Sequence, residues 1–217
     1  MIIAIDGPAG SGKGTITKLI AEKLNLVYID SGAMYRCVAL ACLRNNIKLD
    51  EKEKIIALTK TLNIDFDEKQ RTFLNKEDVS ALIRSKEVTS IVSQVSSIVE
   101  VREILVNLQR KMAIGKNVIM EGRDITTVVF PNADFKFYLD ATVEERAKRR
   151  FKQNQEMHIN TSMEEIIDNI KMRDYNDMNK PIGALKRTDE QIYIDSTNMT
   201  IDEVVNFVVN IVEKNMD

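Results

Sequence analysis

The chain has 217 residues, with 31 Lys and Arg against 33 Asp and Glu, a formal net charge of −2, two cysteines, one histidine and eight glycines. A hydrophobic content of 44% and a charged content of 29% exclude a disordered chain, and a length of this order buries roughly 70% of the unfolded surface, so one main domain with a real core is expected. No apolar run approaches the ~18 residues of a membrane span, and the near-neutral balance speaks against a nucleic-acid protein that works through a bulk positive field.

Residues 2–6 are a short Ile-rich apolar run, the pattern of a buried strand. Residues 12–24 follow with Ile16, Leu19, Ile20 and Leu24 on one helical face, and residues 27–30 form a second strand. Strand, glycine loop, helix and strand in that order make a βαβ unit and predict a parallel sheet. The five-residue spacing of Cys37 and Cys42 in the next helix points them to different faces, which excludes both a bridge and a metal site.

From residue 46 to 100 the pattern changes. Strands at 63–66 and 71–74, joined by Asp67-Glu68-Lys69-Gln70, predict a hairpin between polar helical segments. This stretch reads as an insertion hung on the sheet. Three more strands are expected at 117–120, 134–140 and 191–195, and capping-box spacing starts helices at Thr142/Glu145, Ser162/Glu165 and Thr200/Glu203. The polar stretch 151–161 lies between two helices and reads as a short flap. Reduced thiols, together with first residues that lack a basic segment and a cleavage site, give the expectation of a cytoplasmic protein.

Four of the eight glycines crowd into residues 7–14. The run Gly7-Pro8-Ala9-Gly10-Ser11-Gly12-Lys13-Gly14-Thr15 meets the pattern of a phosphate-binding loop, with a strand before it and a helix after it. Small residues let the backbone curl so that several N–H groups point at phosphate oxygens, and the helix adds its positive end. Lys13 adds a full charge able to follow the β- and γ-phosphates. Gly14 stands where many such loops carry the Ser or Thr that meets Mg²⁺. Direct and water-mediated metal contact therefore both stay open, with Thr15 as the candidate in this loop.

A phosphate loop alone fits motors, switches, kinases and sulfotransferases. No glycine has Asp three positions before it, as a GTPase switch needs. Asn75-Lys76-Glu77-Asp78 matches a guanine-reading motif but follows the hairpin, so it reads as the start of a polar helix. Two segments favour a transferase: residues 30–36, with Arg36, and Glu121-Gly122-Arg123-Asp124, at the carboxyl ends of the second and third strands. Such ends line the ligand crevice of an open parallel sheet. The bland alternatives are a solvated Arg36 and an Arg123 paired with Asp30. An acceptor that is itself a phosphate arrives ionised, so catalysis needs charge neutralisation and alignment more than a base. The one histidine, His158, reads as a surface residue. The basic run Arg146, Lys148, Arg149, Arg150 and Lys152 is partly a solvated face, and Arg146 and Arg150 are the candidates to close over the transferring group.

The segments GPAGSGKGT (7–15), YIDSGAMYR (28–36), EGRDITTVVFP (121–131) and RDYNDMNKPI (173–182) together resemble the bacterial cytidylate kinase family in order and spacing. The resemblance implies an α/β, three-layer P-loop fold whose five-stranded parallel sheet has the order 2-3-1-4-5. Its core would span about 1–45, 101–150 and 164–217, its monophosphate-binding insert about 46–100 and its short lid about 151–163. The implied reaction moves the γ-phosphoryl group of ATP to CMP or dCMP by in-line transfer without a general base, with Mg²⁺ accompanying ATP. Residues 7–15 would hold ATP. Ser31, Arg36 and Arg123 would hold the acceptor phosphate, Ser93, Arg102 and Asp124 the base, and Arg173 and Asp177 the sugar and phosphate, with Asp30 and Lys180 in the same acceptor site. The family also implies a monomer. Lys180 stands where the family often has Arg, and Glu121 where Asp is more usual. The competing readings are a kinase for another small acceptor and a nucleotide-dependent binding or RNA-associated protein.

Overall fold

The computed structural model describes residues 1–156 and 158–215. In chain order the elements are β1 (Ile2–Asp6), α1 (Lys13–Lys23), β2 (Val27–Asp30), α2 (Ser31–Arg44), α3 (Lys52–Thr61), β3 (Ile64–Phe66), β4 (Thr72–Leu74), β5 (Glu77–Asp78), α4 (Lys86–Val95), α5 (Val99–Ala113), β6 (Val118–Gly122), β7 (Phe135–Asp140), α6 (Val143–Glu156), α7 (Met163–Met178), β8 (Ile192–Asp195) and α8 (Ile201–Lys214). The large sheet has five strands in the order β2-β6-β1-β7-β8. Counting core strands alone, this is 2-3-1-4-5, and β1 pairs in parallel with both β6 and β7. The fold is the α/β arrangement that the sequence implied.

The chain divides into two compact units, Met1–Tyr28 with Lys116–Asp217, and Ile29–Gly115. In the first, Ile3 and Ile5 of β1, Phe137 and Leu139 of β7 and Ile194 of β8 send alternate side chains to one face of the sheet. There they meet Ile16 and Ile20 of α1 and the valines 204, 205, 208 and 212 of α8. Each such side chain, fully buried, contributes about 1.5–3 kcal/mol, so this layer holds the strands and the two helices together. On α6 and α7 a smaller cluster joins Ala147 to Ile166 and Ile170.

Two of the three expected capping boxes are complete, at Ser162/Glu165 and Thr200/Glu203. At the third, the Glu145 N–H donates to Thr142 Oγ1 at 3.3 Å, but the Thr142 N–H already donates to Thr197 Oγ1 at 3.0 Å. The Glu145 carboxylate turns to Arg149 instead, at 3.0 Å. The polar stretch read as a flap is helical at first: α6 runs on through Glu156, and α7 begins at Met163. Lys152, Gln153, Gln155 and Glu156 face solvent there on a helix, which polarity alone does not distinguish from a loop.

In the second unit, β3 and β4 form the expected hairpin, with Ile64 opposite Leu74. The motif Asn75-Lys76-Glu77-Asp78 does not start a helix. Asn75 and Lys76 both have positive φ, 50° and 72°, and turn the chain back into a third strand, β5, that pairs antiparallel with β4. Two consecutive left-handed residues are what a two-residue hairpin loop requires. Lys in the place usually taken by Gly hid it. Glu77 then binds Arg44 in a two-point pair at 2.7 and 2.8 Å. Cys37 and Cys42 are buried free thiols, and burial pushes them up to about 12 and about 11, so both stay protonated and inert.

Candidate active site

The loop between β1 and α1 carries the strongest local geometry of the first unit. A Cβ on Gly7 would lie 2.0 Å from the Leu139 carbonyl oxygen, so no other residue fits that approach. Gly12, with φ 90°, serves as the N-cap of α1 without a side-chain cap, which leaves the first amides of the helix to other acceptors. Lys13, only 4% exposed, donates from Nζ to Pro8 O at 2.7 Å and Ser11 Oγ at 3.3 Å. Burial and the charge of Arg123 lower it to about 7, against Glu121, Asp6 and Asp177, which pull it up.

Two arginines of α6 brace this loop. Arg146, buried, donates to Ala141 O and Ala9 O, each at 2.9 Å, and pairs with Asp174 at 2.7 Å. Arg149 reaches Ser11 O at 3.3 Å and Ser196 O at 2.7 Å. Sequence reasoning gave Arg149 no contact of its own, because Ser11 lies 138 residues away in the chain. Arg150 is exposed and bonded to Gln153 at 2.9 Å, and His158 is exposed.

Around Asp177 the structure gathers several residues singled out in the sequence. Its carboxylate takes Arg123 Nε at 2.7 Å on one oxygen and Lys180 Nζ at 3.0 Å on the other. Burial pushes Asp177 up, but the two cations outweigh it and hold it at about 2. Arg173 is lowered by burial and by the neighbouring Arg123 charge. Arg123 is raised: the Asp177 carboxylate and that of Glu121 overcome its burial. Arg123, Arg173 and Lys180 thus gather at Asp177, with Glu121 and Asp174 close enough to act on them. Asp124, 5% exposed, accepts from the Val128 and Val129 amides through its carbonyl, at 2.8 and 3.1 Å.

Two of the three departures noted in the sequence, Gly14 and Glu121, meet. Glu121 Oε1 accepts from Tyr28 Oη at 3.3 Å and lies 3.2 Å from where a Gly14 Cβ would stand. The longer carboxylate thus fills space that Gly14 leaves. Among the described residues no three His, Cys, Asp or Glu side chains form a metal cage. One carboxylate beside a phosphate loop, with the exposed Thr15 at the head of α1, fits a magnesium ion that arrives on its substrate's phosphates and keeps most of its waters.

In the second unit, Asp30 N-caps α2. Its carboxylate accepts from the Ala33 N–H at 2.8 Å and from Arg84 at 3.3 Å, with Ser31 buried beside it as the first helical residue. Arg36 donates to Ile83 O at 3.1 Å and Thr89 Oγ1 at 2.8 Å. Ser93 and Arg102 converge on Ser96: Ser96 Oγ donates to Ser93 O at 2.9 Å, and Arg102 Nη1 donates to Ser96 O at 3.2 Å. The Arg102 guanidinium also lies over the Tyr35 ring, 5.3 Å from its centre. Arg84, Thr89 and Tyr35 had no role in the sequence reading, since contacts between α2 and the turn and helix near residue 85 are long-range.

A family model described as cytidylate kinase matches residues 3–214. The chain belongs to the cytidylate kinase family. It is 49% identical over 214 residues to the cytidylate kinase of Fusobacterium nucleatum, covering 99% of this chain and 98% of that one. The cytidylate kinase of Clostridioides difficile is 44% identical over 210 residues, at 97% of each chain. The chain is thus a phosphotransferase by family. Among solved structures, an uncharacterized protein from Eubacterium ventriosum aligns over 99% of this chain and 98% of its own with a TM-score of 0.55 at 13% identity. A shikimate kinase from Bacteroides thetaiotaomicron gives 0.50 at 16%, covering 98% of each. At these identities the two share the fold.

Proposed function

We propose that the protein transfers the γ-phosphoryl group of ATP to CMP or dCMP. The observation that carries this reading is the family match from residue 3 to 214, at near-complete coverage of relatives 44–49% identical. The phosphate loop of residues 7–15 would hold the ATP phosphates, with Lys13 following the charge as it moves. Arg123, Arg146 and Arg150 would stabilise the transferring group. Magnesium would come with ATP, its waters meeting Glu121 and Thr15; when bound it neutralises phosphate charge.

Ser31, Arg36 and Arg123 are the proposed contacts of the acceptor phosphate, with Asp30, Arg173, Asp177 and Lys180 around sugar and phosphate. Cytosine presents an amine donor beside ring acceptors. Asp124 would accept from the amine while Arg102 and Ser93 donate to the ring acceptors. Uracil exchanges donor for acceptor at two of those places and would strand buried groups. No general base is needed, because the acceptor oxygen is already ionised. The same proposal includes a monomeric, cytoplasmic enzyme without a nucleic-acid partner; the net charge of −2 supports the last of these. Among the described residues no helix is long and apolar enough to cross a membrane.

Asp124→Ala tests the base assignment. It should cut kcat/KM for CMP by about a hundredfold, as expected for a buried charged hydrogen bond, and leave the KM for ATP nearly unchanged. Equal losses for CMP and UMP would overturn it.

A further inference from the structure

The turn after β6 is held by a polar chain that the reaction does not itself require. Asp6, the last residue of β1, is fully buried and its carboxylate accepts three hydrogen bonds. Oδ1 takes the Ile125 N–H at 2.8 Å, and Oδ2 takes the Thr126 N–H at 2.9 Å and the Thr126 hydroxyl at 2.6 Å. Burial pushes the Asp6 carboxyl above its ordinary value, and these donors oppose the push. The Thr126 hydroxyl in turn accepts from Gln191 Nε2 at 2.5 Å. Gln191, 7% exposed, is fixed by the Thr188 N–H on its Oε1 at 2.7 Å and by Lys186 O at 3.4 Å.

A hydroxyl has one proton to give and lone pairs to receive. Thr126 uses both, in one line from Asp6 to Gln191. The segment so clamped, Ile125–Val129, is a π-helical turn, a rare conformation that needs outside support. Its first two residues follow Arg123 and Asp124 directly. The Asp124 carbonyl is closed by the Val128 and Val129 amides, so the backbone on the C-terminal side of Asp124 has little freedom left.

We propose that Thr126 is a positioning residue for acceptor selection: its hydroxyl, locked between Asp6 and Gln191, sets the direction from which Asp124 meets the base. The proposal rests on the reading of Asp124 as the base-reading carboxylate. Because Asp6 immediately precedes Gly7, the same anchor ties this turn to the strand that enters the phosphate loop.

The test compares Thr126→Val, Thr126→Ser and Gln191→Leu with the unaltered enzyme, using ATP with CMP, dCMP and UMP. Valine keeps the shape and the backbone N–H but removes the hydroxyl. It should raise the KM for CMP about tenfold, the loss of one hydrogen bond to a charged group, and lower the CMP-over-UMP preference to match. The KM for ATP should stay within about twofold. Serine should restore CMP selectivity, and Gln191→Leu should shift it the same way by about two- to threefold, which carries the test if the valine variant does not fold. A lowered Tm with unchanged acceptor KM and unchanged CMP-over-UMP ratio would make Thr126 merely structural and overturn the proposal. An unaltered enzyme that ignores CMP would instead overturn the function on which it rests.

Discussion

Asp177 offers the sharpest perturbation, because two cations pair with one buried carboxylate. Its side chain is 11% exposed and pairs with Arg123 at 2.7 Å and Lys180 at 3.0 Å. The fall from the ordinary 3.8 to about 2 corresponds to about 2.5 kcal/mol favouring the charged form in the folded state. Asp177→Asn keeps the shape and one acceptor but removes the negative charge with which both cations pair. It should therefore destabilise the protein by about 2–3 kcal/mol at neutral pH, a drop in Tm of roughly 5–10 °C for a chain of this size. The carboxylate is depressed on folding, so its contribution is complete above the unfolded value and fades as pH falls toward about 2. Thermal melts by far-ultraviolet circular dichroism, run from about pH 6 down to about pH 3, should show the two proteins converging. A difference that stays constant over that range, or that grows as pH falls, would refute the pairing argument.

Other outcomes follow from the loop. Lys13 titrates at about 7 in the empty protein, through burial and the charge of Arg123, and phosphates favour its ammonium form. ATP binding above that pH should thus take up as much as about one proton. Calorimetry at alkaline pH in buffers of different ionisation enthalpy measures it, and identical heats in all buffers would contradict it. Gly7→Ala places a methyl 2.0 Å from Leu139 O and should cost more than about 2 kcal/mol together with nucleotide affinity. Gly115→Ala, with φ 71° and open space around it, should cost only about 1 kcal/mol and no affinity, read by urea denaturation and ATP titration.

The legible parts of the molecule were those with local causes. The five core strands declared themselves as short apolar runs, the loop as glycines before a lysine, and two capping boxes as paired residues three apart. What escaped was set by distant partners. Thr142 lost half its box because Thr197 claimed its N–H. Asn75 and Lys76 became a hairpin turn because β5 had a partner in β4, not because their types demand it. Arg146 and Arg149 brace the loop's carbonyls from more than a hundred residues away in sequence, a relation no spacing rule reaches. The same holds for Asp177, whose pairing with Arg123 joins α7 to the turn after β6. Motifs therefore named many of the site's residues, while the contacts that hold those residues in place needed the fold.

The proposed reaction is the phosphorylation of cytidine monophosphates at the expense of ATP. It is tested most directly by measuring ADP release from ATP and magnesium with a panel of acceptors, namely CMP, dCMP, UMP, AMP, GMP and shikimate. Release should be rapid with CMP and dCMP and near background with the others. Preference for another acceptor, or ATP binding with no transfer to CMP, would contradict it.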